Sequence, residues 1–461
     1  MEKLNKISEK IKGYSAVRII VGSFLFMILM GTLLLMLPFC ARDGKGTDLL
    51  SSFFTATSCT CVTGLAVFDT WSHWSVYGQI VMLLLIQLGG LGLVSFATGF
   101  TLLFRGRLGL RDMRIFQECT SGNIIDISRL IKIIFISTIL FEMIGAILLC
   151  IRLVPKFGYY GIWVSIFLAV SAYCNAGFDI TGFISPGASL TVLNDDPFVL
   201  TVISLLIIIG GLGFIVMVDI YGYFKRKIES NNKNTHISVH TNIVLKVSII
   251  LLIIGTVLFF IAEYNNTMKD FGFTRRLATS FFQSSASRTA GFFAVDTRKQ
   301  TDLIKFITII LMFIGASPSS TGGGVKTTTL AVMFYSVWSI FKGYDDTVLN
   351  GKKIEKSTVY KAMTVFVVFI FISCLGIICI GFAESLTNIT IIDIIYEVIS
   401  AISTTGLSTG ITAGLSVFSK CLLAILMFIG RVGPISLVLS IMERKGEHKN
   451  SMLPEGKLVI G

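Results

Sequence analysis

Cys61-Val62-Thr63-Gly64-Leu65 returns three times along the chain, as Cys174-Asn175-Ala176-Gly177-Phe178, Arg288-Thr289-Ala290-Gly291-Phe292 and Ser403-Thr404-Thr405-Gly406-Leu407. Each copy follows a short, moderately apolar segment: Leu49–Ser58, Gly161–Tyr173, Arg275–Ser287 and Ile391–Ser403. Such lengths fit a re-entrant helix better than a span, because crossing a bilayer takes about 20 apolar residues. Each copy is followed by a second glycine landmark inside the next apolar segment. These read Leu88-Gly89-Gly90-Leu91-Gly92, Ile209-Gly210-Gly211-Leu212-Gly213, Ile314-Gly315-Ala316-Ser317-Pro318 and Ile429-Gly430-Arg431-Val432-Gly433. The interval between the two glycines is 25, 33, 24 and 24 residues. Two landmarks in one order, four times over, define an internal repeat. The unit reads span, short re-entrant helix, glycine-containing strip, span.

Working outward, full-length apolar segments lie at about 17–38, 79–104, 129–153, 197–224, 242–263, 303–340, 360–383 and 418–442. Hydrophobic residues make up 53% of the 461 and charged residues 14%, with a mean hydropathy of +0.81; soluble domains carry about 25% charge. The expected fold is therefore an all-α integral membrane protein. Four tandem repeats surround one pseudo-fourfold pore, with eight transmembrane helices and four re-entrant helices. The expected divisions are a tail at 1–16, repeats at 17–104, 129–224, 242–340 (its second span broken) and 360–442, and a tail at 443–461. The first apolar segment, Ile19 to Leu37, is longer than a signal-peptide core and reads as a retained span.

The formal net charge is +12, yet the basic residues sit in short connections between spans, which makes them a topology signal and not a nucleic-acid face. Lys3, Lys6, Lys10, Lys12 and Arg18, then Arg105, Arg107, Arg111 and Arg114, then Lys225, Arg226, Lys227 and Lys233, then Lys342, Lys352, Lys353 and Lys356, and finally Arg444, Lys445 and Lys449 all fall on one side of eight spans. By the positive-inside rule that side is the cytoplasm, so the protein is expected in the plasma or inner membrane with both termini inside. The third external loop is an exception, with Arg275, Arg276, Arg288, Arg298 and Lys299. Nine cysteines are scattered without a CxxC pair, which gives no disulfide framework or zinc knuckle.

A desolvated monovalent cation needs several oxygen ligands at once, and symmetric rings of backbone carbonyls supply them. Such backbone is extended and needs φ values that glycine adopts cheaply. It survives at membrane depth only when buried in protein or lining a watery cavity. Re-entrant helices whose C-terminal ends face the pore add a favourable dipole. The four strips meet those demands. With the eight-span plan, they resemble the Ktr/Trk/HKT superfamily of K⁺ transporters over nearly the whole chain, specifically the membrane subunit of bacterial Ktr systems. The resemblance implies filter carbonyls from Val62, Thr63 and Gly64, from Asn175, Ala176 and Gly177, from Thr289, Ala290 and Gly291, and from Thr404, Thr405 and Gly406. Serine at the first filter glycine accompanies Na⁺ transport in the family; Gly64 here favours K⁺. Trk-type subunits carry two further N-terminal spans, and this chain, starting with a basic tail and its first repeat, is more similar to Ktr.

Residues 315–329 read GASPSSTGGGVKTTT. Proline, three consecutive glycines and many hydroxyls do not continue a lipid-facing helix, so this loop must face the pore or other protein. Val325 between Gly324 and Lys326 spoils its likeness to a phosphate loop. The resemblance implies an intramembrane gate built from Gly315, Gly322, Gly323, Gly324 and Lys326, just below the filter. Arg431 lies midway along the last apolar segment, where a charge costs at least a few kcal/mol and usually faces a cavity. The resemblance implies a positive residue that limits conduction; a buried ion pair is the alternative. Asp69, Asp179 and Asp296 follow three of the strips and could focus cations at the mouth, or cap turns. Glu142 and Glu263 are candidate partners for basic residues, and His236/His240 lie in a connecting loop without a metal-ligand grouping.

No membrane-depth cluster of catalytic carboxylates, His or Cys is present, so an enzyme is not expected, nor a cofactor bound by this chain. K⁺ is the expected substrate, with Na⁺ as an activator known in Ktr systems. Without a nucleotide-binding motif of its own, the chain implies, through the resemblance, a cytosolic ring of nucleotide-binding regulatory subunits and a homodimer in membrane lipid, with no nucleic acid. A secondary cation transporter with alternating access is the alternative; such folds show two repeats more often than four.

Overall fold

Four times the chain lays down a long helix, a short helix and a helix that stops abruptly. The computed structural model describes residues 16–92, 127–230, 236–349, 351–386 and 389–433. The expected tails at 1–15 and 443–461, the span ends at 93–104 and 434–442, and Arg105, Arg107, Arg111, Arg114 and Lys233 lie outside the described residues. The first repeat comprises α1 (Ala16–Leu35), α2 (Leu49–Thr60), a single turn α3 (Thr70–His73) and α4 (Val76–Leu91). The second comprises α5 (Ile127–Phe157), α6 (Tyr159–Tyr173), α7 (Pro197–Leu212) and α8 (Phe214–Ser230). The third has α9 (Val239–Ala262), α10 (Phe273–Ala286), α11 (Asp302–Phe313) and α12 (Thr327–Phe341). The fourth has α13 (Lys356–Ala383), α14 (Ile391–Ile402) and α15 (Val417–Val432). Between α12 and α13, β1 (Val348–Leu349) and β2 (Lys352–Lys353) form an antiparallel hairpin pairing Val348 with Lys353.

Residues 18–35, 131–157, 239–262 and 356–383 are long and apolar enough to cross a membrane. Their outer faces keep large apolar side chains exposed, Phe26, Ile136, Ile253 and Val367 among them, as lipid contact requires. Each second helix starts at a side-chain cap: Ser75, Asp196, Thr301 and Ser416 accept from the amides of Gly78, Phe198, Ile304 and Ser419. These caps satisfy amides that a helix start leaves unpaired.

The glycine landmarks are where the second helices end. α4, α7 and α15 all stop at a glycine in the left-handed region: Gly92 at φ 77°, Gly213 at 92° and Gly433 at 91°. α7 and α8 meet there at 94°. α11 stops four residues earlier relative to its landmark, at Phe313, just before Ile314. Glycine is the residue that takes such a φ without penalty.

The second glycine landmark turns out to serve close helix approach. A Cβ on Gly89, Gly210 or Gly430 would overlap the carbonyl of Thr60, Tyr173 or Ile402, the last residue of the re-entrant helix in the same repeat. In the third repeat Gly315 lies instead against the backbone of Gly323. Small residues let membrane helices touch backbone to backbone. Gly430→Val is therefore expected to part α15 from α14 and lower stability by roughly 3 kcal/mol, read as a lower midpoint of thermal unfolding in detergent. An unchanged midpoint would show that the contact carries no strain.

Candidate functional site

The four strips close into a ring in chain order. A Cβ on Gly64 would sit 2.5 Å from the Ala176 carbonyl oxygen. On Gly177 it would sit 2.7 Å from that of Ala290, and on Gly291 2.6 Å from that of Thr405. On Gly406 it would overlap the carbonyl of Thr63, which returns to the first strip. Each strip thus lies against the next about a single axis.

The backbone of the strips repeats as closely as their placement. Gly64, Gly177, Gly291 and Gly406 have φ of 99°, 72°, 77° and 87°. Two residues before each glycine the chain is left-handed again, at Val62 (56°), Asn175 (60°), Thr289 (79°) and Thr404 (50°). Asparagine tolerates that region, but β-branched Val and Thr do not. Strain of about 1–3 kcal/mol per residue persists where surrounding structure enforces it, and such strain clusters at functional sites.

The strip amides are tied backward to the re-entrant helices. Thr63 N donates to Ser58 O at 2.8 Å, Ala176 N to Ser171 O at 2.7 Å, Thr405 N to Ser400 O at 2.8 Å and Ala290 N to Ala286 O at 3.0 Å. Ser58 and Ser400 add their hydroxyls as acceptors for Gly64 N and Gly406 N, at 3.1 and 3.0 Å. The carbonyls of Val62, Thr63, Asn175, Ala176, Thr289, Ala290, Thr404 and Thr405 receive no hydrogen bond among the described residues, and all eight residues are buried. A buried carbonyl without a donor is costly, and here the unmatched oxygens belong to one ring.

Beyond the glycines the ring opens into a cavity of about 510 Å³, lined by all four glycines and by Asp69, Asp179, Asp296 and Arg298. The aspartates are also caps. Asp69 accepts from Ser72 N at 2.8 Å and Gly187 N at 3.2 Å, Asp179 from Thr181 N at 3.1 Å, and Asp296 from Arg298 N at 3.0 Å. Capping and lining coexist, so neither of the two expected roles displaces the other.

At the opposite end of the strips lies the loop between α11 and α12, and it touches the second and fourth repeats as well as its own strip. Its own arms meet in a bridge between Ile314 and Val325, with Ala316 N donating to Gly323 O at 3.2 Å. Ser317 N and Thr321 N donate to the carbonyls of Gly211 and Gly210, at 3.1 and 3.4 Å, and Phe214 N donates to Ser319 O at 2.9 Å. The loop is thus clipped to the break between α7 and α8, whose end groups it satisfies. Gly322 abuts the Thr289 side chain and Gly323 that of Thr404. The hydroxyls of Thr63, Thr289 and Thr404 are buried and have no partner among the described residues. Lys326 folds back to Gly322 O at 2.7 Å.

Arg431 ties the loop to the far side of the ring. Its guanidinium donates to Thr321 O of the loop, and to Gly89 O and Gly90 O (3.0 Å for the latter) at the end of α4. Its partners are carbonyls, so the buried ion pair weighed above is not what holds it.

Several expectations need correcting. Arg288 is not an external-loop residue: it is buried behind the third strip, donating to Ser248 O and Oγ of α9 at 3.3 and 3.2 Å. The remaining arginines of that segment, Arg275, Arg276 and Arg298, each have protein partners. Arg275 donates to Asn194 and lies 3.8 Å over the Phe271 ring; Arg276 donates to Met268 O and lies 3.8 Å over the Tyr264 ring. Among the described residues Glu263 pairs with no basic residue; it accepts from Thr301 N and Oγ1, both at 2.9 Å. Glu142 accepts from Gln87 at 3.3 Å, next to Cys174. Among the described residues no group of His, Cys, Asp and Glu could hold a metal. Sequence reasoning missed Glu397, buried in α14, which accepts from Ser408 and Thr412 and so secures the chain beyond the fourth strip. An acidic residue inside an otherwise apolar re-entrant helix was the available signal.

Residues 7–450 match the family profile described as TrkH, cation transport protein. The chain is 36% identical to the potassium/sodium uptake protein NtpJ of Enterococcus hirae, covering 98% of each. It is 36% identical to the Ktr system potassium uptake protein B of Bacillus subtilis, covering 95% of each. Against the protein of the same name from Vibrio alginolyticus the identity is 34%, over 96% of this chain and 94% of the relative. Its fold is similar to the crystal structure of the potassium transporter TrkH from Vibrio parahaemolyticus, with a TM-score of 0.68 at 16% identity, over 92% of this chain and 85% of that one.

Proposed function

The chain belongs to the TrkH family of cation transport proteins, and from that premise we propose that it is the pore-forming subunit of a K⁺ uptake system. The observation that carries the reading is the closed ring of strips with eight buried carbonyls that no donor among the described residues reaches. Those oxygens replace the hydration shell of a K⁺ ion. The strain at Val62, Thr289 and Thr404 is the backbone cost of turning them to the axis. The mouth cavity, with three aspartates against one arginine, concentrates cations before they dehydrate.

The loop from Gly315 to Lys326 is the gate, and Arg431 holds it closed beneath the strips. A loop of glycines and hydroxyls, fastened by single hydrogen bonds to the carbonyls of Gly210 and Gly211, can leave without unfolding a helix. The proposal keeps a homodimer, a cytosolic nucleotide-binding ring on the basic side of the membrane, and both termini on that side. Relatives named for potassium and for potassium/sodium uptake support K⁺ as the substrate; Na⁺ as an activator is part of the proposal.

The test is cation flux by the purified chain in proteoliposomes. K⁺ is expected to enter at least tenfold faster than Na⁺ at equal gradients, which corresponds to about 1.4 kcal/mol of preference in the ring. Equal rates for the two ions would overturn the reading.

A further inference from the structure

α9 and α13 stand apart at their first turns, and the crevice between them is floored by α12 and closed at one end by the β1–β2 hairpin. Its volume is about 420 Å³, and Ile243, Val332, Leu349, Ile354, Ala362 and Val365 make it apolar. Two basic side chains line it, His240 on the first turn of α9 and Lys361 on the second turn of α13. The Nε2 of His240 is buried with no hydrogen-bond partner, and Lys361 has no ion-pair partner, among the described residues. By contrast Lys353 and Lys356 at the neighbouring hairpin are within 2.5 and 4.0 Å of Asp346.

We propose that this crevice holds one acyl chain of an anionic phospholipid from the basic side of the membrane, with its phosphate at Lys361 and His240. Both walls are membrane-crossing helices whose outer faces carry exposed Ile249, Ile250, Met363 and Val367, so hydrocarbon is the solvent at its opening. An apolar slot under unpaired basic side chains matches a lipid and neither a polar metabolite nor a free anion. The floor gives the lipid a consequence: Thr328 and Thr329 line the crevice and sit one and two residues into α12, whose N-cap is Lys326, the last residue of the loop. A chain in the slot braces the helix on which the loop hangs. This bracing rests on the gate reading above; lipid binding does not.

Native mass spectrometry of the full chain after mild delipidation, with added phosphatidylglycerol or phosphatidylcholine, reads the site directly. The wild type is expected to retain one phosphatidylglycerol. Val332→Trp, which fills the slot, should lose it. Lys361→Gln, at an exposed position that leaves the volume intact, should cut the preference for phosphatidylglycerol over phosphatidylcholine about fivefold, the equivalent of the roughly 1 kcal/mol that one lysine contributes near a charged lipid. A wild type that retains no phospholipid, or a Lys361→Gln protein with unchanged preference, overturns the site. In proteoliposomes, adding phosphatidylglycerol to phosphatidylcholine is expected to change wild-type K⁺ flux severalfold and Lys361→Gln flux much less. Bound lipid with no such effect overturns the bracing alone; no K⁺ flux in either vesicle overturns the transport reading and leaves the binding result standing.

Discussion

Gly64→Ser is expected to cut the preference for K⁺ over Na⁺ by roughly tenfold or more while the chain still inserts and folds. Gly64 has φ 99°, and a Cβ there would lie 2.5 Å from the Ala176 carbonyl oxygen and 3.1 Å from the Gly177 Cα. A side chain in that backbone region costs about 1–2 kcal/mol before any clash is counted. The clash is with a neighbouring strip, so relief comes by pushing strip two outward or by flattening strip one. Either movement breaks the equality of the carbonyl ring on which size and field selectivity depend. The hydroxyl also brings a second kind of oxygen to a ring of carbonyls, which suits a smaller ion that keeps part of its water. Gly414→Ser is the control, because a Cβ there meets nothing within 4 Å. Measurement is by paired K⁺ and Na⁺ uptake under identical gradients; an unaltered ratio for Gly64→Ser would remove the strips from selectivity.

That the strips meet was legible because glycine is the residue whose absence of a side chain matters twice in them. It permits the positive φ, and it lets one strip touch the next. Both demands fall on the same position in every repeat, so the letter G recurs in register. Val62, Asn175, Thr289 and Thr404 have the same kind of φ, but no one chemistry is common to valine, asparagine and threonine, and two of the three types disfavour that φ. Their conformation is imposed by hydrogen bonds to the re-entrant helices, such as Val62 N to Cys59 O at 3.1 Å and Thr404 N to Ala401 O at 3.1 Å, so no local propensity announces it. Arg288 was misread for a similar reason. Charge in a connecting loop is ordinarily solvated, and only the depth to which the third strip is sunk against α9 makes it a buried residue. The stops at Gly92, Gly213 and Gly433 sit within apolar sequence that hydropathy alone reads as continuous span. Hydropathy measures the cost of leaving water and is indifferent to where a helix ends; the recurring glycines, and not hydropathy, mark those corners.

Arg431→Met is expected to raise K⁺ uptake, by roughly ten- to a hundredfold, and Arg431→Lys to fall between it and the wild type. Two effects are combined in this side chain. As a charge, it lies below the strips; a unit charge roughly 6–12 Å from an ion costs about 1.4–2.8 kcal/mol at an effective dielectric near 20, which is that ten- to hundredfold range in rate. As a clamp, it donates to Thr321 O, Gly89 O and Gly90 O, and hydrogen bonds to charged groups contribute roughly 1.5–3 kcal/mol each. Methionine removes both effects. Lysine keeps the charge but has no planar fork with which to span two carbonyl sites at once, so its excess over the wild type measures the clamp. The Lys-to-Met step measures the charge. If the loop is the gate, the clamp share is the larger where the regulatory partner is absent, since nothing else described here joins Thr321 to the first repeat. Uptake rates for the two variants, each normalised to protein in the vesicle, separate these contributions. Should both variants match the wild type, Arg431 would be neither barrier nor latch, and the loop would have to be held by its ties to the second repeat, at Gly210, Gly211 and Phe214.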